Sequence, residues 1–139
     1  MLTKARTFVL IKPEGVERKL VGEIIRRFES KGLEIEQLKV VKPTREIIET
    51  HYAEHKGKEF YDKIVEHLCD KKCVAMILSN PDQGNIVFMV RYLMGSTDPV
   101  TATPGTIRGD FGTYIGHNVI HGSDSPAAAD REIELWFKT

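Results

Sequence analysis

The sequence predicts an α+β domain of the ferredoxin-like, split βαββαβ type, a four-stranded antiparallel sheet with helices packed on one face. Three observations predict it. Short runs of strand formers occur at residues 7–11, 74–78 and 118–120, with a more charged candidate at 33–41. Stretches with apolar residues at helical spacing separate them. No linker, repeat or low-complexity stretch divides the 139 residues, so they form a single domain over 1–139.

Thr7-Phe8-Val9-Leu10-Ile11 reads as a central strand ending at Lys12, and Pro13 stops its ladder. Leu20, Val21, Ile24, Ile25 and Phe28 recur at helical spacing, with Gly32 as the stop. Leu33 to Val41 follows as the second strand. Two short helices are expected next, one from Arg45 through Tyr52 and one carrying Phe60, Ile64 and Leu68. Val74 to Leu78 is the third strand. Asn80 to Gly84 is a turn cluster leading to a helix around Val87, Val90 and Leu93.

Ser96 to Phe111 holds Pro99, Pro104, Gly105 and Gly109 and is expected to be a long ordered loop, a type that is usually functional. Asn118-Val119-Ile120 is the last strand. Ser125 then caps a final helix with Pro126 at its first position, and Ala129, Ile133 and Trp136 share a face of it beside Glu132.

An apolar content of 41% with 29% charged residues excludes a disordered chain and is that of a soluble globular domain. Lys plus Arg equals Asp plus Glu at 20 each, so any anion site must come from local placement of cations. Cys69 and Cys73, four apart with His67 nearby, fall short of a four-ligand zinc set and read as two reduced thiols. The first six residues lack a signal-peptide core and no apolar run approaches a membrane span, so a cytoplasmic protein without membrane partners is expected.

Neither a P-loop nor any G-x-G is present. Asp110-Phe111-Gly112 imitates a protein-kinase metal motif but has no companion motifs. His51 and His55 stand at i, i+4 without H-E-x-x-H and read as solvated helix histidines; no protein metal site is expected. His121-Gly122-Ser123-Asp124-Ser125 remains, where a buried strand runs into a capped helix. Position alone favours a satisfied core histidine. Its surroundings favour chemistry: Gly122 permits close approach by a bulky group, Ser123 offers a hydroxyl to a ring nitrogen or phosphate oxygen, and Glu132 follows on a buried face. Lys12, Arg91 and Arg108 lie at element ends or in loops. Converging, they would stabilise a transferring phosphoryl group.

The strings Ile11-Lys12-Pro13-Glu14-Gly15-Val16, Pro104-Gly105-Thr106-Ile107-Arg108-Gly109-Asp110-Phe111 and Asn118-Val119-Ile120-His121-Gly122-Ser123-Asp124-Ser125 resemble nucleoside diphosphate kinase. The resemblance runs from Arg6 to Phe137, and the last string surrounds that family's active-site histidine. It implies an enzyme that moves the γ-phosphate of a nucleoside triphosphate, typically ATP, to a nucleoside diphosphate by a ping-pong route through phosphohistidine at His121. Ser123 and Glu132 would orient the imidazole. Lys12 would bind phosphate and the sugar hydroxyl, with Asn118 also facing the sugar. Arg91, Thr97 and Arg108 match positions that hold the terminal phosphates, Tyr52 lines the pocket, and His55 approaches the phosphates. Phe60 would stack on the base, with Ile64 and Ile115 as an apolar rim and little base specificity. Magnesium would arrive with the nucleotide, held by phosphate oxygens and water.

Some features depart from the family pattern. His117 stands in place of arginine, four residues before His121 and, in a regular strand, on the same face. Glu59 replaces proline before Phe60, the segment from Ser79 to Gly84 is longer and lacks Trp-Glu-Gly, and the chain ends soon after Trp136. The family implies a homo-oligomer, a hexamer before a tetramer. Two rival readings are a non-catalytic ferredoxin-like module binding nucleotide or nucleic acid, and a silent scaffold. Aliphatic strands without an RNP-like string weigh against RNA recognition, so nucleic acid is not indicated, and the set His121, Lys12, Arg91 and Arg108 weighs against silence.

Overall fold

Strand β1 (Arg6–Ile11) is buried along its whole length after Arg6, because Phe8, Val9, Leu10 and Ile11 offer apolar side chains to both faces of the sheet. The computed structural model describes residues 5–81 and 85–138. The N-terminal residues 1–4, part of the segment expected to lack a signal-peptide core, and residues 82–84 of the expected turn lie outside them.

After β1 come helices α1 (Pro13–Glu17) and α2 (Val21–Ser30), strand β2 (Glu34–Val41), helix α3 (Arg45–His51), a 3₁₀ turn (Ala53–His55) and helix α4 (Tyr61–Leu68). Strand β3 (Cys73–Ser79), helices α5 (Ile86–Met94) and α6 (Ile107–Phe111), strand β4 (Ile120–Gly122) and helix α7 (Pro126–Phe137) complete the chain. All pairings are antiparallel and the strand order is β2-β3-β1-β4, as the predicted topology requires. The expected caps form: Ser125 Oγ accepts from the Ala128 amide at 3.0 Å, and Gly32 takes φ +88 beyond α2.

The helices occupy both faces, not one. Val9, Ile11, Val74, Met76 and Leu78 meet α2 and α5 through Ile24, Phe28, Val87, Val90 and Met94. Phe8, Leu10, Ala75 and Ile77 meet α3, α4 and α7 through Ile48, Val65, Leu68, Ile133 and Trp136. Strands β1 and β3, apolar at successive positions, leave neither of their faces for water, whereas the edge strand β2 stays partly exposed. Cys69 closes α4 while Cys73 opens β3, both free thiols, so they do not share a helix.

Two local expectations are corrected. The loop from Ser96 contains α6, because Thr106 Oγ1 accepts from the Gly109 amide at 3.0 Å and caps a helical turn. The last strand is Ile120–Gly122, not residues 118–120, because Val119 takes φ +78. This left-handed conformation is strained for a β-branched residue. It is held by the Val119 amide donating to Glu14 Oε2 (3.1 Å) and the Val119 carbonyl accepting from the Lys12 amide (2.8 Å). His121 therefore lies inside the strand, opposite Leu10, with its side chain on the α3/α7 face.

Gly15 of α1 sits beneath this junction: a Cβ there would meet Ile11 Cγ2 at 2.8 Å and Val119 Cγ1 at 3.1 Å. Helix propensity alone would make Gly15→Ala stabilising by about 1 kcal/mol. Overpacking against two buried β-branched side chains costs about 1–3 kcal/mol and should win. The urea midpoint of Gly15→Ala is expected below that of the unaltered chain; an equal or higher midpoint contradicts the tight junction.

Candidate active site

His121 is set by one cross-strand pair and one helix. Its register opposite Leu10 turns the imidazole toward α7, where Glu132 lies one turn before Trp136. His121 Nε2 and Glu132 Oε1 are 2.9 Å apart, and Ser123 Oγ donates to the same oxygen at 2.7 Å. The carboxylate can only accept, so Nε2 carries the ring proton and Nδ1 keeps its lone pair. Ser123 is 1% exposed and acts on the imidazole through Glu132, not by holding a ring nitrogen itself.

The cations gather around this ring. Arg91 donates to the Gly122 carbonyl (3.1 Å) and Arg108 to the Ile120 carbonyl (2.6 Å), so the two guanidiniums clasp the backbone on either side of His121. Arg108 also reaches Gly95 O (3.2 Å), while its buried Nε has no partner among the described residues. Lys12 Nζ donates to Asn118 Oδ1 (2.8 Å), whose Nδ2 donates to the Thr97 carbonyl (3.0 Å). Burial lowers the Lys12 pKa to about 8 and that of Arg108 to about 10. Burial, then Lys12, Arg108 and Arg91, push His121 down to about 3. The imidazole is therefore neutral at pH 7, a nucleophile facing three cations.

Tyr52, His55 and Phe60 lead outward. Ring centroids are 6.4 Å apart for Tyr52 and His121, 6.3 Å for Tyr52 and His55, and 5.4 Å for His55 and Phe60. His55 Nδ1 accepts from Lys58 Nζ at 3.2 Å. Phe60 is 45% exposed, its ring approached by His55 and, at 6.0 Å, by Lys58 Nζ. Ile64 is half-buried against the α3/α4 layer, and Ile115 is exposed on the loop before β4.

Several readings change. His51 is no solvated helix histidine: its side chain is 2% exposed and its ring centroid lies 4.5 Å from that of His121. Its spacing of three from Ile48 on the buried face of α3 was the available signal. His117 does not share a face with His121, because the turn at Val119 intervenes; its ring lies against those of His67 (5.0 Å) and Tyr114 (4.6 Å). A Cβ on Gly122 would meet Met94 Sδ at 2.5 Å, so Gly122 admits helix α5, not a ligand. Glu14, given no role from sequence, is buried and joins His67 (2.7 Å) to the Val119 amide. Asp110 pairs with Arg27 at 2.8 Å and accepts the Gly105 amide, a structural role.

His51, His121 and Glu132 bring ligand atoms within 4.8 Å of one another, a His₂Glu set on paper. Trp136 Nε1 donates to His51 Nδ1 at 2.9 Å, however, and an indole nitrogen can only donate. Burial, then His121, holds the His51 pKa down at about 3, so the neutral ring has its one proton on Nε2. That nitrogen has no lone pair for a metal.

Both histidines thus fold in the neutral form, while an unfolded imidazole titrates near 6.5. Between about pH 6.5 and 3 the unfolded chain binds two protons that the folded chain rejects, so stability falls as pH is lowered through that window. Glu132, raised by burial, opposes this with one site against two. Urea unfolding at pH 7.5 and 5.5 should give the lower midpoint at pH 5.5; a higher one contradicts the neutral pair.

The family model for nucleoside diphosphate kinase matches residues 5–139. A nucleoside diphosphate kinase of Pelotomaculum thermopropionicum is 53% identical over 132 residues, covering 95% of this chain and 87% of the relative. One from Methanocaldococcus jannaschii is 47% identical over 135 residues, covering 97% and 94%. The structure of a halophilic nucleoside diphosphate kinase from Halobacterium salinarum in complex with CDP superposes with TM-score 0.92 at 44% identity, over 99% of this chain and 90% of that one. No described helix is long and apolar enough to cross a membrane. Matched along nearly its whole length in sequence and in backbone, the chain belongs to the nucleoside diphosphate kinase family.

Proposed function

We propose that this chain transfers the γ-phosphate of a nucleoside triphosphate to a nucleoside diphosphate by way of phosphohistidine at His121 Nδ1. One observation carries the reading: the Nε2 side of a neutral imidazole is fixed by Glu132, which leaves Nδ1 as the lone-pair nitrogen in a field of Lys12, Arg91 and Arg108. The Nδ1 lone pair attacks the γ-phosphorus, the bond to the bridging oxygen breaks, and the diphosphate leaves with that electron pair. The Nε2 proton stays shared with Glu132, whose charge stabilises the ring as it becomes cationic. A second nucleoside diphosphate then runs the same step in reverse.

Arg91 and Arg108 hold the terminal phosphates, with Thr97 and Tyr52 lining their side of the pocket and His55 approaching them. Lys12 and Asn118 face the sugar and phosphate. The exposed face of Phe60 takes any base, with Ile64 and Ile115 as rim, because stacking discriminates weakly. Glu132 Oε1 is committed to His121 and Ser123, so the donor set fits a magnesium ion carried on phosphate oxygens and water, where it neutralises phosphate charge. The protein is read as cytoplasmic.

The test is an intact mass after brief incubation with magnesium ATP. One acid-labile, base-stable phosphoryl group is expected, discharged by ADP, GDP, CDP and UDP at rates within about two decades of one another, the range of stacking differences. It should be absent in His121→Ala. Labelling of that variant would overturn the assignment, and a four-decade preference for one base would overturn the open pocket.

We also propose a homo-oligomer, with a hexamer favoured over a tetramer. Edge strand β2 exposes Leu38 (49%) and Val40 (64%), and α5 exposes the ring pair Phe88 and Tyr92, 5.9 Å apart. Such surface is what copies of a short chain bury between them. Light scattering at micromolar concentration should report a multiple of 15.8 kDa; a monomer contradicts the proposal.

A further inference from the structure

The active-site carboxylate has two oxygens, and the scheme above uses one. Glu132 Oε1 serves His121 and Ser123, while Oε2 lies 3.9 Å from His51 Nε2. That nitrogen is buried and has no hydrogen-bond partner among the described residues. A donor left unsatisfied so deep in a protein is costly, and it stands beside the charge that the reaction depends on.

The orientation of His51 is not accidental. Trp136 is 1% exposed, stacks at 5.4 Å on Phe8 of β1, and has one polar atom, Nε1, which it spends on His51 Nδ1. With Nδ1 occupied by that N–H, the His51 proton is confined to Nε2, the nitrogen facing Glu132. The ring cannot turn over without leaving a buried indole donor unpaired. The T-shaped contact of its ring with that of His121, at an interplanar angle of 74°, limits it from the other side.

We propose that His51 is a positioning residue for phosphoryl transfer: Trp136 fixes its tautomer, and its Nε2–H holds the second oxygen of Glu132 so that the first stays on His121. In the resting state the contact is a charge–dipole one, longer than a hydrogen bond. As Nδ1 attacks phosphorus, His121 becomes cationic and draws Oε1 toward Nε2. A carboxylate free to pivot would follow unevenly and lose alignment; one held at Oε2 does not. With its side chain only 2% exposed, His51 is placed to act through Glu132 and not on a nucleotide, so its effect belongs to the chemical step and not to binding. The inference rests on His121 as the nucleophile, which labelling of the unaltered chain by ATP tests separately.

The experiment has two arms. In the unaltered protein, nitrogen-15 shifts of the His51 ring should show the proton on Nε2 and not on Nδ1. A proton on Nδ1 overturns the proposal, and this arm needs no variant. In the second arm, His51→Phe keeps a flat ring but no donor, and His51→Gln keeps a side-chain N–H of similar reach. The Phe variant should lose about tenfold in kcat, what one donor to a charged acceptor is worth, with KM for ATP within about twofold. The Gln variant should recover most of that loss. Unchanged kcat in folded His51→Phe, or no recovery in folded His51→Gln, overturns the proposal, because a space-filling role would leave kcat untouched or not respond to a restored N–H.

Discussion

The Glu132 carboxylate is the group on which the rest of the site depends. It is 7% exposed, it comes from a helix that the sheet must cover in any case, and two hydrogen bonds converge on one of its oxygens. Remove it and the His121 Nε2–H and the His51 Nε2–H lose the acceptor they face, and the buried Ser123 hydroxyl keeps only a long bond to the Phe8 carbonyl. Its position follows from elementary packing. Ala129, Ile133 and Trp136 seat α7 on the sheet, and Glu132 is carried to the one strand, β4, whose register turns a histidine the same way.

The strand that carries His121 is only three residues long and would be weak alone. It is reinforced from outside the ladder. Arg108 and Arg91 bind the carbonyls before and after the histidine, and Glu14 and the Lys12 backbone hold the left-handed Val119 that precedes the strand. Strain of about 1–3 kcal/mol at one residue is tolerated where neighbouring bonds over-determine it. Arg91 and Arg108, the proposed phosphate ligands, are thus structural partners of the backbone that carries His121. That couples the position of the histidine to the position of the groups meant to meet its substrate.

What the sequence makes legible are features governed by short-range rules. The apolar runs at 7–11 and 74–78, the Ser125-Pro126 cap and the Gly32 stop each have a local cause, and each stands where expected. The first and last of the three matched strings meet in space, with Lys12 bonded to Asn118 and Glu14 to the Val119 amide. What stayed hidden depends on long-range contacts. The shift of β4 needs Glu14, 105 residues away, to stabilise a φ that valine avoids. The burial of His51 needs Trp136, 85 residues on, to satisfy Nδ1. The role of Gly122 needs Met94 of another helix. A histidine or glycine is ambiguous by nature, and only its partner decides what it does.

The cluster of cations sets a problem that the substrate itself solves. Lys12, Arg108 and Arg91 help to hold His121 neutral, which suits Nδ1 to the proposed attack but opposes the positive charge the ring would take on during it. A triphosphate bound as proposed would bring several negative charges to the same three groups. Their field at the imidazole would then fall, while Glu132 Oε1 stays hydrogen-bonded to Nε2 on the other side of the ring. On the proposed mechanism the ring would be free to take on charge only with phosphate beside it. Under the proposed mechanism binding and activation would be one electrostatic event, and the neutral histidine expected to cost the fold stability in acid would also tie nucleophilic attack to bound phosphate.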